Sequence, residues 1–555
     1  MKEITRREFL KRGLAVTAGV AAGGMGNVYA ANFPGDGKSS STLETRIRDR
    51  SNILLIITDQ QRQAQHWPTG GIEEHMPTMA RLQQHGVTFT NNFTAATACA
   101  PSRASFLTGV YPSVHGVTDT PPNPPLSSDI TNILKLAEQA GYEVAYKGKM
   151  HLFTPQSTPS DDSFASYDIK WASDNYRANR WNPPDCALSP GGGVWIAGGW
   201  PNNDQRYVNG VPDTYNRMNP PVGMGETIFE YLDAYDPNSD KPFLLVCSFG
   251  NPHDISVWPD QEKWGYNKAD YENLTEIGLP SNYDDDLSEK PAGQKEFQSL
   301  TAITDPCTTT QARIEYCRFY AHLHSVVDSQ IAAVLDKLDE KRLTDDTIIF
   351  RFADHGEQGW SHQMIQKGLT SYQETINVPL VISNPRLFPE GTTTSSFSSL
   401  IDLVPTIAEI TGAASPEELN RMGICGKSLV PIMQDPSVSV RDSTMFYSED
   451  FAYFFNEYMA VQNIYETMPG KIRSIRFEDW MYAVYFTNAG TQLQYEMYNL
   501  TDDPGQMTNL AWGSRGRGNV ARMQNLHDML TAELERYSAL PDGFQWPAEA
   551  GIESV

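Results

Sequence analysis

Continuous apolar runs recur along the chain, and most of them end in a cluster of polar residues. Runs of about four to eight apolar residues without strict alternation are typical of strands buried on both faces, as in a parallel sheet. Four runs end in such a cluster: NILLIITDQQ from residue 52, YEVAYKGKMH from 142, PFLLVCSFGNPHD from 242 and TIIFRFADHGE from 347. A fifth run, NVPLVISNP from residue 377, ends without one. All five are predicted to be strands of a parallel sheet.

Segments with helical periodicity alternate with these runs. They are PTMARLQQHG, SDITNILKLAEQAG and RFYAHLHSVVDSQIAAVLDKLDEK. We therefore expect helices that start near residues 77, 128 and 318. Strands that alternate with helices predict an α/β sandwich, with a mostly parallel central sheet flanked by helices. In such a fold the functional site lies beyond the carboxyl ends of the strands.

The pattern changes near residue 440. From there KIRSIRFEDWMYAVYFTNAGTQLQYEMYNL alternates apolar and polar positions between turn residues, which is typical of antiparallel strands. A final segment, VARMQNLHDMLTAELERYSA, has helical spacing. We therefore predict a catalytic domain over residues 50–438 and a smaller α+β domain with an antiparallel sheet over residues 439–555.

The first 30 residues carry the features of an export signal. Arg6 and Arg7 precede a weakly apolar run rich in Gly and Ala, and a small-residue site ends at Ala30. This order is typical of a bacterial twin-arginine signal peptide, so we expect residues 1–30 to engage a twin-arginine translocase and the protein to be periplasmic or secreted. An uncleaved membrane anchor is disfavoured because the run has many glycines and little Leu or Ile, so we expect no membrane-spanning segment. Residues 31–49 are predicted to be a polar linker.

Charge and cysteine content exclude some functions. The 555 residues include 43 basic and 68 acidic side chains, a net charge of −25, which argues against nucleic acid as a partner. An anionic substrate would therefore need a local cationic pocket. Six cysteines without zinc-binding spacing do not form a disulfide scaffold. The sequence does not decide whether Cys307 and Cys317 form a disulfide bond.

The polar clusters at the strand ends combine ligands for a hard cation with positive side chains. Asp59 and Gln60 follow the first run, and Asp354 and His355 follow the fourth. Such oxygen-rich sets suit Ca²⁺, Mg²⁺ or Mn²⁺ better than a thiolate-binding metal. The cationic candidates, which suit a tetrahedral anion, are Lys149, His151, His253 and Lys367. Any one of these residues could merely cap a turn, but their occurrence at four strand ends favours one shared site.

Cys99 begins the segment CAPSRASFLTG, where the chain is expected to enter a helix. Its side chain could be an ordinary buried thiol, or a thiolate nucleophile at the helix start. A thiolate is poorly matched to a hard cation, so an oxygen-based group at this position would suit the site better. His115, which lies near this helix on the chain, is left without a role.

The segment CAPSR, followed by ASFLTGVYPSVHG, resembles the C-x-P-S-R signature of the formylglycine-dependent sulfatases, in the alkaline-phosphatase-like superfamily. The resemblance runs in order from about residue 50 to 515, through NILLIITDQQ, GKMHL, NPHD, DHGEQGWSHQMIQKGLTSYQETINVPL, DLVPTIAEITG and MYNLTDDPGQMTNLA. It implies an alkaline-phosphatase-like sandwich and a sulfuric ester hydrolase that releases inorganic sulfate.

The resemblance also implies what individual residues do. The implied catalytic residues are Cys99, Arg103, Lys149, His151, His253 and Lys367, and the implied ligands of one divalent cation are Asp59, Gln60, Cys99, Asp354 and His355. Cys99 would be oxidised to Cα-formylglycine (3-oxoalanine) by a formylglycine-generating enzyme or an anaerobic sulfatase-maturating enzyme, and Arg103 would orient its hydrate. One hydrate oxygen would attack sulfur in line while His253 or Lys367 supports the leaving oxygen. His151 would then deprotonate the second hydroxyl, which expels sulfate and restores the aldehyde.

Two positions depart from the pattern of many sulfatases, which have Asp-Asp at Asp59-Gln60 and Asp-Asn at Asp354-His355. The combination found here partly resembles choline-sulfatase-like, iduronate-sulfatase-like and phosphonate monoester hydrolase branches. We expect Ca²⁺, with Mn²⁺ or Mg²⁺ as alternatives, and keep a phosphonate monoester or phosphodiester hydrolase as the alternative function. A binder of sulfated glycans without turnover is disfavoured, because a binder needs no modifiable cysteine.

The substrate-facing region is predicted over residues 155–225, whose Trp, Asn, Gly and Pro content is typical of long loops. Its Trp-rich part, 171–207, could contact a sugar ring or could pin the insertion by core packing. A net charge of −25 repels a densely sulfated polymer over about 8–10 Å at physiological salt. We therefore expect an exo-acting carbohydrate sulfatase that binds a short sulfated oligosaccharide by its end.

Overall fold

A seven-stranded sheet forms the centre of the protein. The computed structural model describes residues 51–67, 73–120, 124–153, 163–181, 187–188, 194–195, 204–210, 226–304, 307–449, 469–487 and 492–537. The predicted signal peptide, the linker and much of the Trp-rich region lie outside these residues. Within the described ranges, the helices are all too short or too polar to span a bilayer.

Strands and helices alternate along the described chain. The strands are β1 (Asn52–Asp59), β2 (Gly86–Phe89), β3 (Asn92–Phe93), β4 (Glu143–Gly148), β5 (Ala187–Leu188), β6 (Val194–Trp195), β7 (Phe243–Pro252), β8 (Thr347–Ala353), β9 (Leu380–Ser383), β10 (Thr392–Thr394), β11 (Ser398–Ser399), β12 (Ser443–Ser448), β13 (Lys471–Phe477), β14 (Trp480–Phe486) and β15 (Gln494–Asn499). The α-helices are α1 (Pro77–Gln83), α2 (Cys99–Thr108), α3 (Pro112–His115), α4 (Ile133–Gln139), α5 (Ser163–Tyr176), α6 (Gln205–Asn209), α7 (Ile228–Ala234), α8 (Ala292–Thr304), α9 (Thr310–Glu340), α10 (Gln373–Ile376), α11 (Leu403–Thr411), α12 (Pro416–Arg421), α13 (Val430–Gln434), α14 (Gly513–Gly518) and α15 (Val520–Arg536).

The central sheet has the order β10-β2-β9-β8-β1-β7-β4. Its pairings are parallel except those of β9, which runs antiparallel to both of its neighbours. The mostly parallel sandwich is confirmed, but the expectation that the run from Asn377 is one more parallel strand is wrong. Since β9 is buried along its whole length, it carries the same continuous apolar pattern as a parallel strand.

Successive residues of β1 pack into two different hydrophobic cores, because side chains alternate between the faces of a sheet. Ile53, Leu55 and Ile57 lie in one core, together with residues of α2, α4 and α11. Leu54 and Ile56 lie in the other, together with residues of α7 and α9. Helices therefore cover both faces of the central sheet.

Two helices begin at positions other than those predicted. The helix expected from residue 128 begins at Ile133, because Asn132 is its N-cap and accepts the Lys135 N–H at 3.0 Å. The helix expected from residue 318 begins at Thr310, where the Thr309 hydroxyl accepts the Ala312 N–H at 3.2 Å. In both cases a polar cap, and not the apolar periodicity, fixes the first turn.

The C-terminal region contains the predicted antiparallel sheet, with β12, β13, β14 and β15 in sequence order. Tyr482 and Val484 of this sheet belong to the same hydrophobic core as Ile53 of β1. The backbone N–H of Tyr447 donates to the Ala95 carbonyl at 2.9 Å, only a few residues before Cys99. The boundary between residues 438 and 439 stays a prediction.

The cysteines in the described ranges are buried free thiols: Cys99, Cys247, Cys307, Cys317 and Cys425. Cys307 and Cys317 are therefore not joined in the structure. The indole N–H of Trp258 donates to the Cys307 sulfur at 2.9 Å, and the Cys317 thiol faces the Gly359 carbonyl at 3.7 Å.

Candidate active site

Four neighbouring strands end at one edge of the central sheet, and each brings a candidate residue there. β1 ends at Asp59, β8 leads into Asp354, β4 leads into Lys149, and β7 leads into His253. These strands are consecutive and parallel in the order β4-β7-β1-β8, so their carboxyl ends coincide. The structure thus brings together residues that the sequence places far apart.

Arg103 lies between the two carboxylates of this edge. Its Nη2 is 3.0 Å from Asp59 Oδ2, and its Nε is 2.9 Å from Asp354 Oδ2. Its Nη1 donates to the Lys149 carbonyl and to the Ser248 hydroxyl, both at 2.9 Å. Burial opposes the charge of Arg103, but Asp354 and Asp59 outweigh burial and raise its pKa. Ser248 carries no sequence signal, because a serine within an apolar run looks like any strand residue.

Four side chains converge beside Arg103 on a small volume. One donor atom from each of Asp59, Cys99, Asp354 and His355 lies within 4.8 Å of the others. His355 Nε2 is 3.8 Å from Asp59 Oδ1 and 3.7 Å from Asp354 Oδ1. His355 Nδ1 lies 2.9 Å from the Gly356 carbonyl, so Nδ1 carries a proton and Nε2 faces the carboxylates.

The chemistry of these donors fits a divalent cation. Burial alone would lower the pKa of His355, but Asp354 and Cys99 outweigh burial and raise it. The imidazole nitrogen Nε2 thus faces acidic donor groups, which are groups that can bind a divalent cation. Carboxylate oxygens and an imidazole nitrogen are suitable ligands for Ca²⁺ or Mn²⁺.

Cys99 is the first residue of α2, and its sulfur lies inside this set of donors. Its Sγ is 3.1 Å from His355 Nε2 and 3.7 Å from Asp59 Oδ1. Burial and Asp59 raise the pKa of the thiol, but Lys149, Lys367 and the imidazole outweigh them, and the net effect is a lowered pKa. Sulfur is the odd member of the set, because an oxygen at the same position would match a hard cation better.

Two imidazoles lie on the cationic side of the site. Burial lowers the pKa of His151 well below its usual value, and Lys149 and Arg103 lower it further. Burial, Lys149 and Lys367 lower the pKa of His253 in the same way. In the described part of the chain nothing hydrogen-bonds the buried Nδ1 of His253. Both imidazoles are therefore neutral near pH 7 and able to accept a proton.

The two lysines contact different parts of the site. Lys149 forms a buried ion pair with Asp59. Burial opposes the ionised form of Asp59, but Lys149 and the other cations around it hold its pKa well below the usual range. Lys367 donates to Oε1 of Gln60, whose backbone N–H donates to Asp354 Oδ1 at 3.0 Å. All the candidates from the sequence thus lie in or beside one buried cluster.

Comparison with known protein families agrees with this geometry. The sulfatase family model matches residues 51–413, which include every candidate residue. A second family model, described as the C-terminal region of N-sulphoglucosamine sulphohydrolase, matches residues 356–538. The predicted family and enzyme class are therefore confirmed.

Individual relatives are distant but span most of the chain. A choline-sulfatase of Rhizobium meliloti is 28% identical over 501 residues, which cover 88% of each chain. A Delta 4,5-hexuronate-2-O-sulfatase of Bacteroides thetaiotaomicron is 24% identical and covers 89% of this chain and 91% of its own. The solved structure of a phosphonate monoester hydrolase from Silicibacter pomeroyi has a TM-score of 0.63 at 20% identity, covering 89% of this chain and 96% of its own.

Proposed function

The chain belongs to the sulfatase family, and from that premise we propose that it hydrolyses sulfate esters of carbohydrates through a formylglycine made from Cys99. The observation that carries this proposal is the position of Cys99 Sγ, 3.1 Å from His355 Nε2 and 3.7 Å from Asp59 Oδ1. A thiol is poorly suited to a set of hard ligands, whereas an aldehyde hydrate would place oxygen there. One hydrate oxygen would be the nucleophile for sulfur.

The residues that would hold the cation are Asp59, Gln60, Asp354 and His355. A divalent cation, which we assign as Ca²⁺ with Mn²⁺ or Mg²⁺ as alternatives, would supply the positive charge that favours an ionised nucleophile. Arg103 forms ion pairs with both carboxylates and so fixes their positions. Its Nη1 also donates to the Lys149 carbonyl, which holds the end of β4 beside the two carboxylates.

The remaining residues would handle the sulfate group and the protons. Lys149, which is paired with Asp59, is placed to attract a sulfate oxygen. His151 is neutral, so it can take the proton of the second hydrate hydroxyl, the step that releases sulfate. Lys367 would support the leaving oxygen by its charge. An anionic ester would favour the protonated form of His253, which could then pass that proton to the leaving oxygen.

The carbohydrate assignment is supported by the named activity of the Bacteroides relative, a hexuronate-2-O-sulfatase. We propose an exo-acting enzyme that binds the end of a short sulfated oligosaccharide.

A phosphonate monoester hydrolase is the second candidate, because such an enzyme shares the fold and its substrate is also a tetrahedral anion. We further propose export by the twin-arginine route and maturation of Cys99 by a dedicated enzyme.

A substrate panel tests this proposal. The matured enzyme would be incubated with sulfated mono- and oligosaccharides, choline sulfate, an aryl sulfate and a phosphonate monoester, with the released sulfate or phosphonate measured by ion chromatography. We expect the highest kcat/KM for a sulfated saccharide, and no turnover by the Cys99→Ala variant with its circular dichroism spectrum unchanged. Preference for the phosphonate over every sulfate ester would favour the second candidate, and turnover by Cys99→Ala would refute the nucleophile.

A further inference from the structure

Glu357 is a fully buried carboxylate beside the cation site, and all of its described partners are donors. Its Oε1 accepts from the Tyr316 hydroxyl at 2.8 Å, the Gly359 N–H at 3.0 Å and the Gln366 N–H at 2.6 Å. Its Oε2 accepts from the side-chain nitrogen of Gln60 at 2.5 Å. One oxygen of Glu357 is thus held by Tyr316 of α9 and by the loop after β8, and the other oxygen holds Gln60.

This contact decides which end of the Gln60 amide faces the site. A carboxylate can only accept hydrogen bonds, so the atom of Gln60 that faces Glu357 must be nitrogen. The second hydrogen of the same nitrogen is directed at Oε1 of Gln366, at 3.2 Å. With both N–H groups engaged, the amide oxygen points away from Glu357, to the side where Lys367 donates to it.

The same contact also decides the charge that residue 60 can carry. A glutamate at position 60, which has the length of Gln60, would meet the carboxylate of Glu357 at the distance of a short hydrogen bond with no proton between them, in a buried place where like charges repel strongly. A neutral amide avoids this and turns the contact into a charge-assisted hydrogen bond. The amide at position 60 therefore has a structural partner in Glu357.

We propose that Glu357 is a positioning residue that selects an amide at position 60 and turns its oxygen toward the cation. This inference rests on the proposed function, since it takes Gln60 as a ligand. It assigns Glu357 no contact with substrate. Glu357 acts only through the orientation of Gln60.

Glu357→Gln is the variant that separates orientation from packing, because it keeps the shape of the side chain. The three donors around Oε1 would keep the oxygen of the new amide, so its NH₂ group would face Gln60. Gln60 would then have to rotate and present its own NH₂ to the cation. We expect cation affinity to fall about 10- to 100-fold, the usual effect of losing the partner of a metal ligand.

The reciprocal exchange supplies the decisive comparison. Gln60→Glu alone places two carboxylates in contact and should also lose affinity. In the double variant Gln60→Glu with Glu357→Gln, the NH₂ group at position 357 can donate to one oxygen of the carboxylate at position 60, and the other oxygen is left for the cation. We therefore expect the double variant to bind the cation more tightly than either single variant. Glu496→Gln is the matched control, because Glu496 is also a buried carboxylate that accepts from Gln294, Tyr485 and Tyr498, but in the C-terminal sheet. Its replacement should lower stability and leave cation affinity unchanged.

Calorimetric titration of the chelated full-length protein with Ca²⁺ and Mn²⁺ measures these affinities, and circular dichroism reports folding. An affinity of the folded Glu357→Gln variant equal to wild type would overturn the inference, as would failure of the folded double variant to recover. If wild-type protein binds no divalent cation, the proposed function fails first. If it binds the cation and releases sulfate while Glu357→Gln shows no defect, only the inference fails.

Discussion

The guanidinium of Arg103 ties two strand ends together. It lies 3.0 Å from Asp59 and 2.9 Å from Asp354, and all three side chains are fully buried. Two buried carboxylates that share a site repel each other, so each needs a positive partner. A guanidinium can serve both at once because its N–H groups form a planar fork, which the ammonium of lysine lacks.

Replacing Arg103 by Lys should therefore abolish sulfate release and lower the free energy of unfolding by about 3–5 kcal/mol, the cost of breaking a buried ion pair. Urea titration and a sulfate assay measure the two effects. Arg81→Lys is the control, since Arg81 pairs with Asp336 and Asp339 on the surface and its change should cost less than about 1 kcal/mol. Equal stability of the two variants would show that Arg103 does not hold the carboxylates.

For individual residues, the spacing of motifs predicted which side chains lie in the candidate site, but not which of them contact each other. Cys99 and Arg103 could be predicted because they stand four positions apart within one helical motif. The contact of Arg103 with Ser248 and that of Gln60 with Glu357 could not, because they join distant parts of the chain. Such pairings depend on strand register and on the path of each loop, which spacing along the sequence does not encode.

Among the secondary-structure elements, the burial of a strand could be predicted from the sequence, but its direction in the sheet could not. The runs ending at Asp59 and Asp354 are parallel neighbours as expected, whereas β9 is antiparallel with the same apolar pattern. The short strand β2 begins at Gly86, where the sequence indicated only the end of a helix. A four-residue strand gives too few positions for its periodicity to be read.

Helices α2 and α3 are joined by a buried hydrogen-bond chain centred on His115. The Val117 N–H donates to His115 Nδ1 at 3.1 Å, so the proton lies on Nε2, which donates to the Ser105 hydroxyl at 2.9 Å. That hydroxyl donates to the Pro101 carbonyl at 2.7 Å, within the CAPSR motif. Burial lowers the pKa of His115 to about 3. The sequence left His115 without a role, and the structure makes it a support of the Cys99 helix.

This shift predicts a pH dependence of stability. The unfolded histidine titrates near pH 6.5, so between pH 6.5 and about 3 the unfolded state binds a proton that the folded state excludes. Stability should therefore rise with pH through this window and be lost as pH falls, by about 1.4 kcal/mol per pH unit from this group. His115→Asn should flatten the slope measured by urea titration from pH 6.5 to 4, while Val114→Asn, at an exposed site on α3, should not. Identical slopes for wild type and His115→Asn would contradict the assignment.

Over the whole molecule, an acidic surface surrounds a buried cationic site. The net charge is −25, yet Arg103, Lys149 and Lys367 converge at one edge of the sheet. Because the site is buried, salt screens its charges far less than those of the surface. The family and the fold could be predicted from the sequence, but the sugar could not, because residues 155–225 have the composition of long loops and no specific motif.

The base of that region is nevertheless defined. The ammonium of Lys147 donates to the Arg180 carbonyl at 2.9 Å and to the Glu226 carbonyl at 2.6 Å. Arg180 and Glu226 stand on either side of residues 182–225, so one buried lysine joins the two ends of the segment. Both flanks of residues 182–225 are therefore attached to β4, the strand that also leads into Lys149.

Mass spectrometry of residue 99, in protein purified from cells that contain a maturation enzyme, tests the formylglycine chemistry most directly. We predict that residue 99 carries an aldehyde instead of a thiol and reacts with a hydrazide probe, and that sulfate release rises in proportion to the converted fraction. Cys99→Ala, purified in the same way, should neither react with the probe nor release sulfate. A fully active preparation in which residue 99 is unmodified cysteine would contradict the proposed nucleophile.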